Sequence, residues 1–326
     1  MQLSDAGPDE AGPDEAGRLT AELARLWPEG ARQGRLGLAV SGGPDSLALL
    51  LLAHAAWPGR VAAATVDHGL RPESAGEAAE VARICAGLGV AHATLPVSIG
   101  PGNIQTEART ARYAALAQWM AAEGLAALAT AHHADDQAET LLLRLNRASG
   151  VAGLAGVRAR ALVPGSRLLL LRPLLGWRRA ELAAVVSGAG LVAADDPSNR
   201  NDAFDRARLR ARLAGVDWLD IPALAQSAAH IAEADAALEW AAAREWREAV
   251  TQTGLALTYA PRSPRAIGLR VVARIVARLD GEEARGSAIA RLYDRLNAGQ
   301  TASIGGLVVR PGPDGWAFMK APSRRS

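Results

Sequence analysis

Cysteine and lysine are almost absent from this sequence of 326 residues. The one cysteine, Cys85, excludes a disulfide framework, an intramolecular redox pair and a zinc site built from cysteines alone. Aromatic residues make up only 4% of the chain, and its hydrophobic residues are mostly alanine, leucine and valine. Because alanine favours helices, this composition predicts a helix-rich fold with thin cores. The length predicts about two domains.

The sequence also lacks a hydrophobic run long enough to cross a membrane. The longest run, Leu47 to Trp57, has 11 residues and contains His54, whereas a membrane-spanning helix needs about 20. The N-terminal stretch is acidic, repeats AGPDE over residues 6–15, and lacks the basic and apolar segments of a secretory signal. We therefore expect a disordered tail over residues 1–17, a cytoplasmic location and no membrane partner.

Charge is unevenly distributed along the chain, although the formal net charge is only +2. Residues 1–30 carry seven acidic side chains against two arginines, whereas residues 140–215 carry thirteen arginines against five acidic residues. A segment this basic suits a polyanionic partner. Arginines on ordinary solvent-exposed faces would give the same count, and charge alone does not separate these two interpretations.

Short apolar runs alternate with longer amphipathic stretches in the first half of the chain. This alternation predicts an α/β domain with an open parallel sheet and helices on both faces. The predicted strands are Leu36–Val40, Val61–Val66, Ala91–Val97 and Leu125–Ala131. The predicted helices are Arg18–Trp27, Pro44–Trp57, Glu73–Gly87, Ile104–Glu123 and one that starts near Asp135.

The pattern changes after about residue 215. We expect one domain over residues 18–215, followed by a smaller, mainly helical domain over residues 216–326. Its predicted helices are Leu219–Val250, with Trp240 and Trp246 on the core side, Gly268–Leu279 and Gly286–Asn297. The segments Ser303–Val309 and Gly315–Met319 are predicted to form a strand pair.

The strongest local signal is AVSGGPDSLALL, from Ala39 to Leu50. A strand ends at Val40 and a helix begins near Asp45, with two adjacent glycines between them. Glycine permits positive φ and leaves backbone N–H groups accessible, and together with the helix dipole these groups form an anion cradle. The hydroxyls of Ser41 and Ser46 add hydrogen-bond donors.

Other nucleotide-binding loops do not match this segment. It lacks the lysine of a Walker A loop and the third glycine of a dinucleotide fingerprint. An acidic Asp45 inside a phosphate loop calls for a bridging divalent cation. The structural alternative is a strand–turn–helix corner whose glycines serve only close packing.

A second polar motif, AHHADDQAET, follows the fourth predicted strand. Asp135, Asp136 and Glu139 lie at a helix start beside His132 and His133, and this grouping suits a metal ion or a substrate amine. Acidic residues in a first helical turn also stabilise the helix dipole. From the residues alone, that structural role is the favoured hypothesis.

The segment SGGPDS resembles the SGGxDS loop of the PP-loop ATP pyrophosphatase superfamily. Members of this superfamily have an adenine nucleotide α-hydrolase-like fold, cleave ATP between the α- and β-phosphates, adenylate an oxygen of their substrate and release pyrophosphate. The resemblance implies that Asp45 binds Mg²⁺ and that Asp67 and His68 line the nucleotide. It implies that pyrophosphate is held by Ser41, Gly42, Gly43, Pro44, Asp45 and Ser46.

Longer motifs resemble the tRNA(Ile)-lysidine synthase family. HHADDQAETLLLRLNRASGVAGL is similar to its HHxDDQxET…RLxRGSGxxGL signature, and NIQTEARTARYAAL, RPLL and DDPSNRNDAFDRARLR follow the family's other motifs in the same order. The resemblance extends from about residue 36 to residue 212. Two positions depart from it: Ala148 stands where the family usually has glycine, and Ala207 stands where asparagine is expected.

The family resemblance implies that ATP adenylates the oxygen on carbon 2 of the wobble cytidine in an isoleucine tRNA with a CAU anticodon. Free L-lysine then attacks that carbon through its side-chain amine and AMP is released. ATP is thus an expected co-substrate, Mg²⁺ an expected cofactor, and tRNA(Ile) and lysine the expected partners. The resemblance also implies that residues 18–215 form the ATP-binding catalytic domain and that residues 216–326 contact tRNA. Whether the chain also forms a homodimer stays open.

The same resemblance gives roles to further side chains. Asp136 and Glu139 would bind or deprotonate the lysine, Arg206 would act in catalysis, and His133 would contribute to the substrate site. Residues expected to hold tRNA phosphates or the adenylated intermediate are Arg109, Arg112, Arg208 and Arg210. For these arginines the structural alternatives are a solvated helix face and surface ion pairs.

Three other functions fit the sequence less well. tRNA thiolation usually needs a cysteine pair, and this chain has only Cys85. An amide-forming ligase that adenylates a carboxylate would lack the long basic segment, and an RNA-binding module with an inactive nucleotide site would not need Ser41, Asp45 and Ser46 intact. Lys320 is the only lysine, so a lysine nucleophile would have to arrive as substrate.

Overall fold

The structure, a computed structural model, describes residues 13–69, 74–98, 104–194, 208–209, 212–213, 216–282 and 284–321. The chain divides into two compact units, Met1–Ile231 and Ala232–Ser326. Within the described ranges, no helix combines the length and the apolar character needed to cross a membrane. The division falls inside a long continuous helix, whereas the change in sequence pattern lies near residue 215.

The first unit contains eight described helices and a six-stranded sheet. The helices are α1 Pro13–Leu26, α2 Pro28–Gln33, α3 Pro44–Ala56, α4 Ser74–Gly87, α5 Ile104–Glu123, α6 Ala134–Asn146, α7 Val151–Leu154 and α8 Arg179–Gly188. The strands are β1 Leu36–Ala39, β2 Val61–Asp67, β3 Ala91–Pro96, β4 Ala127–Ala129, β5 Arg160–Leu162 and β6 Leu169–Leu171.

The strand order is β3-β2-β1-β4-β6-β5, and all neighbours pair in parallel except β5 and β6. This confirms the predicted parallel sheet. Alternate residues of β1 point into two different cores: Leu36 and Leu38 pack in the cluster that contains Leu47 of α3, and Ala39 packs in the cluster that contains Trp119 of α5. Such burial on both faces explains why the strand sequences are continuously apolar.

The first helix corrects the predicted N-terminal boundary. It begins at Pro13 rather than Arg18, so residues 13–17 are helical instead of part of a disordered tail. Asp14 and Glu15 lie in its first turn, where carboxylates interact favourably with the helix dipole. Leu19 and Leu23 are fully buried in the core and anchor the helix. Residues 1–12 of the predicted tail lie outside the described residues.

The second unit combines helices with an antiparallel sheet. Helix α9 spans Ile221–Ala249 and crosses the division between the units, and α10 Arg265–Asp280 and α11 Gly286–Asn297 follow. The strands are β7 Val250–Thr253, β8 Ala256–Tyr259, β9 Ala302–Ile304, β10 Leu307–Gly312 and β11 Gly315–Lys320, in the order β7-β8-β11-β10-β9.

Three predicted helices are thus confirmed. The predicted strand Ser303–Val309 is instead two strands, β9 and β10, joined by a turn at Gly305, and β10 pairs with β11. Strands β7 and β8 and their place in this sheet were not predicted. The expectation for Trp240 was wrong: this side chain is 67% exposed. Helix α9 instead buries Asp235, Ala242 and Ala249, and Trp246 packs against the edge of that core. A prediction from hydrophobicity alone therefore chose the wrong face of α9, because the buried face includes the polar residue Asp235.

Candidate active site

The loop between β1 and α3 is held in a fixed shape by its own serines. Ser46 Oγ accepts a hydrogen bond from the backbone N–H of Ser41 at 3.1 Å and donates to the carbonyl of Gly43 at 2.9 Å. Gly42 has φ of +86°, a conformation that favours glycine. The loop therefore presents the start of α3, with its positive dipole end, at the carboxyl edge of the sheet.

His133 links this loop to the start of α6. Its side chain is fully buried, and its Nε2 lies 3.4 Å from Asp45 Oδ2 and 3.6 Å from Asp136 Oδ2. Its Nδ1 lies 3.6 Å from Asp135 Oδ2. Burial opposes protonation, but the surrounding carboxylates outweigh it and raise the pKa of His133 to about 9. At neutral pH an imidazolium therefore holds three carboxylates close together.

Asp135 and Asp136 have different surroundings although they are adjacent. Asp135 accepts two hydrogen bonds of 3.2 Å from the Arg178 guanidinium and one of 2.9 Å from the backbone N–H of Arg179. Burial works to raise the pKa of Asp135, but its bonds to His133, Arg178 and Arg179 hold it well below its usual range. Asp135 thus fastens the start of α8 to the start of α6.

Asp136 stabilises the start of its own helix and also lines a cavity. Its Oδ2 accepts the backbone N–H of His133 at 3.2 Å, which supports the expected stabilising role of acids in a first turn. Asp136 also lines a cavity of about 350 Å³. The structural and functional interpretations of this residue are therefore compatible.

This cavity brings together residues from the two motifs. It is lined by Ala39, Ser41, Gly43, Pro44, Asp45, Ser46, Glu77, Arg112, Thr130, Ala131, His132, Asp136, Arg179 and Ala194. Asp45 Oδ1 is buried and has no hydrogen-bond partner among the described residues. A buried carboxylate oxygen in this state fits a cation or a donor supplied by a ligand.

Other predicted site residues lie outside the lining of this cavity. Glu139 is 4% exposed and follows Asp136 on α6. Asp67 accepts hydrogen bonds from Ser74 Oγ at 2.7 Å and from the backbone N–H of Gly69 at 2.9 Å, and these bonds lower its pKa. Burial and the Arg112 guanidinium lower the pKa of His68.

The predicted arginines separate into different places. Arg112 lines the cavity, whereas the guanidinium of Arg109 lies over the ring of Tyr113, 5.0 Å from its centroid. Arg208 lines a second cavity of about 560 Å³. The other residues of this second cavity are Leu142, Leu143, Asn146, Arg147, Leu209 and Arg212. Arg206 and Arg210, like Ala207, lie outside the described residues.

Four cavity residues were not predicted from the sequence, namely Glu77, Thr130, Arg179 and Ala194, whereas His132 belongs to the predicted HHADDQAET motif. Thr130 and His132 follow β4, and Thr130 Oγ1 lies 3.0 Å from His132 Nδ1. Their position at the carboxyl end of a parallel strand was a usable signal. Glu77 on α4, Arg179 on α8 and Ala194 come from distant parts of the chain, and only the fold brings them to the cavity.

Ala148 adopts a backbone conformation that favours glycine. Its φ is +50°, and it is the one non-glycine residue with positive φ in the described part of the chain. It follows α6 in a Schellman motif, in which Ser149 N–H donates to Arg144 O and Ala148 N–H to Leu145 O, both at 3.0 Å. The departure from glycine at this position therefore places a Cβ in a strained conformation.

Comparison with known proteins gives the family. A family model for the PP-loop domain matches residues 16–216. The chain is 48% identical over 304 residues to a tRNA(Ile)-lysidine synthase of Novosphingobium aromaticivorans, covering 92% of this chain and 93% of the relative. The chain belongs to the tRNA(Ile)-lysidine synthase family. A second family member, from Zymomonas mobilis, is 43% identical and covers 90% of each chain.

The solved structures support the fold of this lysidine synthase family member. The U34-tRNA thiolase NcsA from Methanococcus maripaludis, solved with its [4Fe-4S] cluster, matches with a TM-score of 0.53. The two chains are 15% identical over 67% of this chain and 78% of the thiolase, so the likeness concerns the fold alone. The predicted family resemblance and PP-loop fold are thus confirmed. In this member of the family, the SGGPDS and HHADDQAET motifs meet at one cavity.

Proposed function

We propose that this protein ligates free lysine to the wobble cytidine of an isoleucine tRNA with a CAU anticodon, using ATP and releasing AMP and pyrophosphate. The observation that carries the proposal is the cavity of about 350 Å³ in which Ser41, Asp45 and Ser46 meet Asp136 and Arg112. A phosphate-binding loop and a carboxylate that could hold an amine share one space. Membership in the lysidine synthase family supports this assignment.

In the first step, the loop from Ser41 to Ser46 binds the triphosphate. The oxygen on carbon 2 of cytosine attacks the α-phosphorus, and the bond from that phosphorus to the bridging oxygen breaks. Backbone N–H groups at the start of α3 and the Ser41 hydroxyl stabilise the negative charge that collects on pyrophosphate. Pro44 is the first residue of α3. Proline has no backbone N–H, and this costs no hydrogen bond here because the first N–H groups of a helix have no intrahelical partner.

Asp45 would hold Mg²⁺ at this loop, and the ion would neutralise charge on the leaving phosphates. Magnesium in such sites usually binds one or two carboxylates and completes its shell with phosphate oxygens and water. The buried, unpaired Oδ1 of Asp45 fits this role. Because no group of three or more histidine, cysteine or acidic side chains that could hold a metal ion occurs among the described residues, the other ligands would have to be phosphate oxygens and water.

In the second step, the lysine side-chain amine attacks carbon 2 and AMP leaves. The ammonium must lose a proton before it can attack, and the carboxylate of Asp136 or Glu139 would accept it. Asp136 lines the cavity and would bind this amine, and the buried Glu139 one turn later on α6 would take part in the same recognition. His133 would contribute to the substrate site by positioning Asp45 and Asp136, since its Nε2 lies within 3.6 Å of both carboxylates.

The tRNA backbone would contact arginines around these cavities. Arg147, Arg208 and Arg212 line the second cavity, and no acidic residue lines it among the described residues. Along helix α6, Asp136 precedes Leu142 and Asn146 of this basic cavity by about 9 Å and about 15 Å, respectively. We propose Arg109, Arg112, Arg208 and Arg210 as phosphate or intermediate contacts, and Arg206 as a catalytic residue. With a tRNA substrate, we expect a cytoplasmic location.

The test is lysine transfer to tRNA. Purified protein is incubated with ATP, Mg²⁺, labelled lysine and a CAU-anticodon isoleucine tRNA transcript. We expect label in the tRNA together with equal amounts of AMP and pyrophosphate. A matched transcript with uridine at the wobble position should take up no label. Folded protein that binds the transcript and ATP but transfers no lysine would contradict the assignment.

A further inference from the structure

Arg179 lines the same cavity as Ser41, Asp45 and Ser46, yet the sequence motifs gave it no role. Its backbone N–H donates to Asp135, which fixes the start of α8 beside the start of α6. The position of Arg179 at the cavity is thus set by a main-chain contact. Side-chain substitutions at this residue leave that contact available.

The neighbouring arginine has a different environment. The guanidinium of Arg178 is paired with the Asp135 carboxylate through two hydrogen bonds of 3.2 Å. Arg179 Nε is buried and has no hydrogen-bond partner among the described residues. Buried polar groups in folded proteins are nearly always paired, and a guanidinium stays charged at all physiological pH values. An anion in the cavity would satisfy this donor.

The charges around the cavity indicate which anion this is. Asp45, Glu77 and Asp136 contribute three carboxylates, and Arg112 and Arg179 are the arginines among its lining residues. A triphosphate next to these carboxylates needs compensating positive charge. Arginine suits this purpose because its planar fork donates two parallel hydrogen bonds to phosphate oxygens.

We propose that Arg179 binds the β- and γ-phosphates of ATP, the part that leaves as pyrophosphate. The guanidinium donates N–H bonds to phosphate oxygens and stays protonated, so it transfers no proton. The bond between the α-phosphorus and the bridging oxygen breaks, and its electron pair leaves with pyrophosphate, which Arg179 stabilises. This inference rests on the proposed function for its substrate, but pyrophosphate binding needs neither lysine nor tRNA.

The first test measures binding of inorganic pyrophosphate with Mg²⁺ to the full chain by calorimetry. For Arg179→Gln we expect a loss of affinity of about tenfold or more, because one charged donor is removed. Arg179→Lys should recover part of the affinity, since it keeps the charge without the fork. The matched control is Arg167→Gln, an exposed arginine between β5 and β6, which should bind pyrophosphate like wild type.

Two further readouts separate binding from a structural role. Arg179→Gln should raise the KM for ATP while its tRNA affinity stays within about twofold of wild type. Pyrophosphate affinity of Arg179→Gln equal to that of wild type would overturn the proposal. Failure of the lysine-transfer assay in wild type, with this affinity loss intact, would instead contradict only the proposed function.

A measurement on wild-type protein covers the case in which the variant does not fold. Phenylglyoxal modifies accessible arginines, and mass spectrometry identifies each modified site. We expect Mg²⁺ and pyrophosphate to protect Arg179 at least about fivefold and to leave Arg167 unprotected. Equal modification of Arg179 with and without pyrophosphate would overturn the proposal.

Discussion

Buried charged side chains in the two units of this protein differ in how completely they are hydrogen-bonded. At the cavity of the first unit, Asp45 Oδ1 and Arg179 Nε are buried without a hydrogen-bond partner among the described residues. In the second unit, Glu245 is 4% exposed and accepts four hydrogen bonds, from Tyr259 OH, the backbone of Arg262, and the backbone and hydroxyl of Ser263. Unpaired buried groups that line one cavity are candidates for ligand binding, whereas fully paired ones contribute to the stability of the fold.

The second unit contains a further example of paired charge. Arg270 of α10 makes ion pairs with both Asp235 and Glu239 of α9, and Arg274 makes another with Glu239. Each of these carboxylates thus has an arginine partner within the unit. We therefore expect substitutions at the cavity of the first unit to reduce catalysis, and substitutions of paired buried charges in the second unit to reduce stability.

The largest expected effect is on catalysis in the first unit. Asp45→Asn should reduce lysine-dependent AMP formation by about 10³-fold, because the phosphate loop loses its carboxylate. The affinity for tRNA should stay within about twofold of wild type, measured by filter binding. Glu80→Gln on α4, at an exposed ion pair with Arg83, is the control and should keep full activity. Loss of both activity and tRNA binding in Asp45→Asn would mean that Asp45 is structural.

The next effect is on stability in the second unit. Glu245→Ala should lower the free energy of unfolding by about 3 kcal/mol, since it leaves buried donors without an acceptor. Chemical denaturation followed by tryptophan fluorescence measures this change. The control is Glu248→Ala on the same helix, whose exposed ion pair with Arg244 should contribute less than about 0.5 kcal/mol. Equal destabilisation by the two substitutions would contradict the role of burial.

Glu245 also predicts a dependence of stability on pH. Burial works to raise its pKa, but hydrogen bonds from Ser263, Arg262 and Tyr259 outweigh burial and leave the pKa below the ordinary value of 4.5. The unfolded chain therefore binds a proton more readily than the folded one. The contribution of Glu245 is fully present above the ordinary value and is lost as the pH falls through the lowered one.

The measurement is the difference in unfolding free energy between wild type and Glu245→Gln at several pH values. Glutamine resembles the protonated acid, so this difference should be largest near pH 7 and should shrink as the pH falls below about 4. A difference that stays constant over this range would show that Glu245 has the same pKa in both states.

The smallest effect concerns Ala148 after α6. Ala148→Gly should stabilise the protein by about 0.5–1 kcal/mol, because relief of the Cβ strain at positive φ exceeds the entropy lost by glycine. Thermal unfolding should show a correspondingly higher midpoint, and Ala114→Gly on the exposed side of α5 should show a lower one. A lower midpoint for Ala148→Gly would mean that alanine is unstrained at this position.

Sequence by itself determined most of the longer helices and the first four strands, and it predicted a phosphate cradle at the loop after β1. Helices Ile104–Glu123 and Gly286–Asn297 have the predicted bounds, and the order of the first four strands gave a parallel sheet. These features depend on local periodicity, glycines and motif order. The SGGPDS segment was predicted as a phosphate cradle because strand, glycines and helix are consecutive in the chain.

Tertiary structure alone decided which charges meet. His133 was expected as a substrate ligand, and the fold makes it a buried imidazolium between Asp45, Asp135 and Asp136. Arg178 and Arg179 are adjacent in sequence, yet only one of them pairs with Asp135 through its side chain. Such differences depend on distances of a few ångströms between distant segments, because electrostatic interactions and desolvation change steeply over that range.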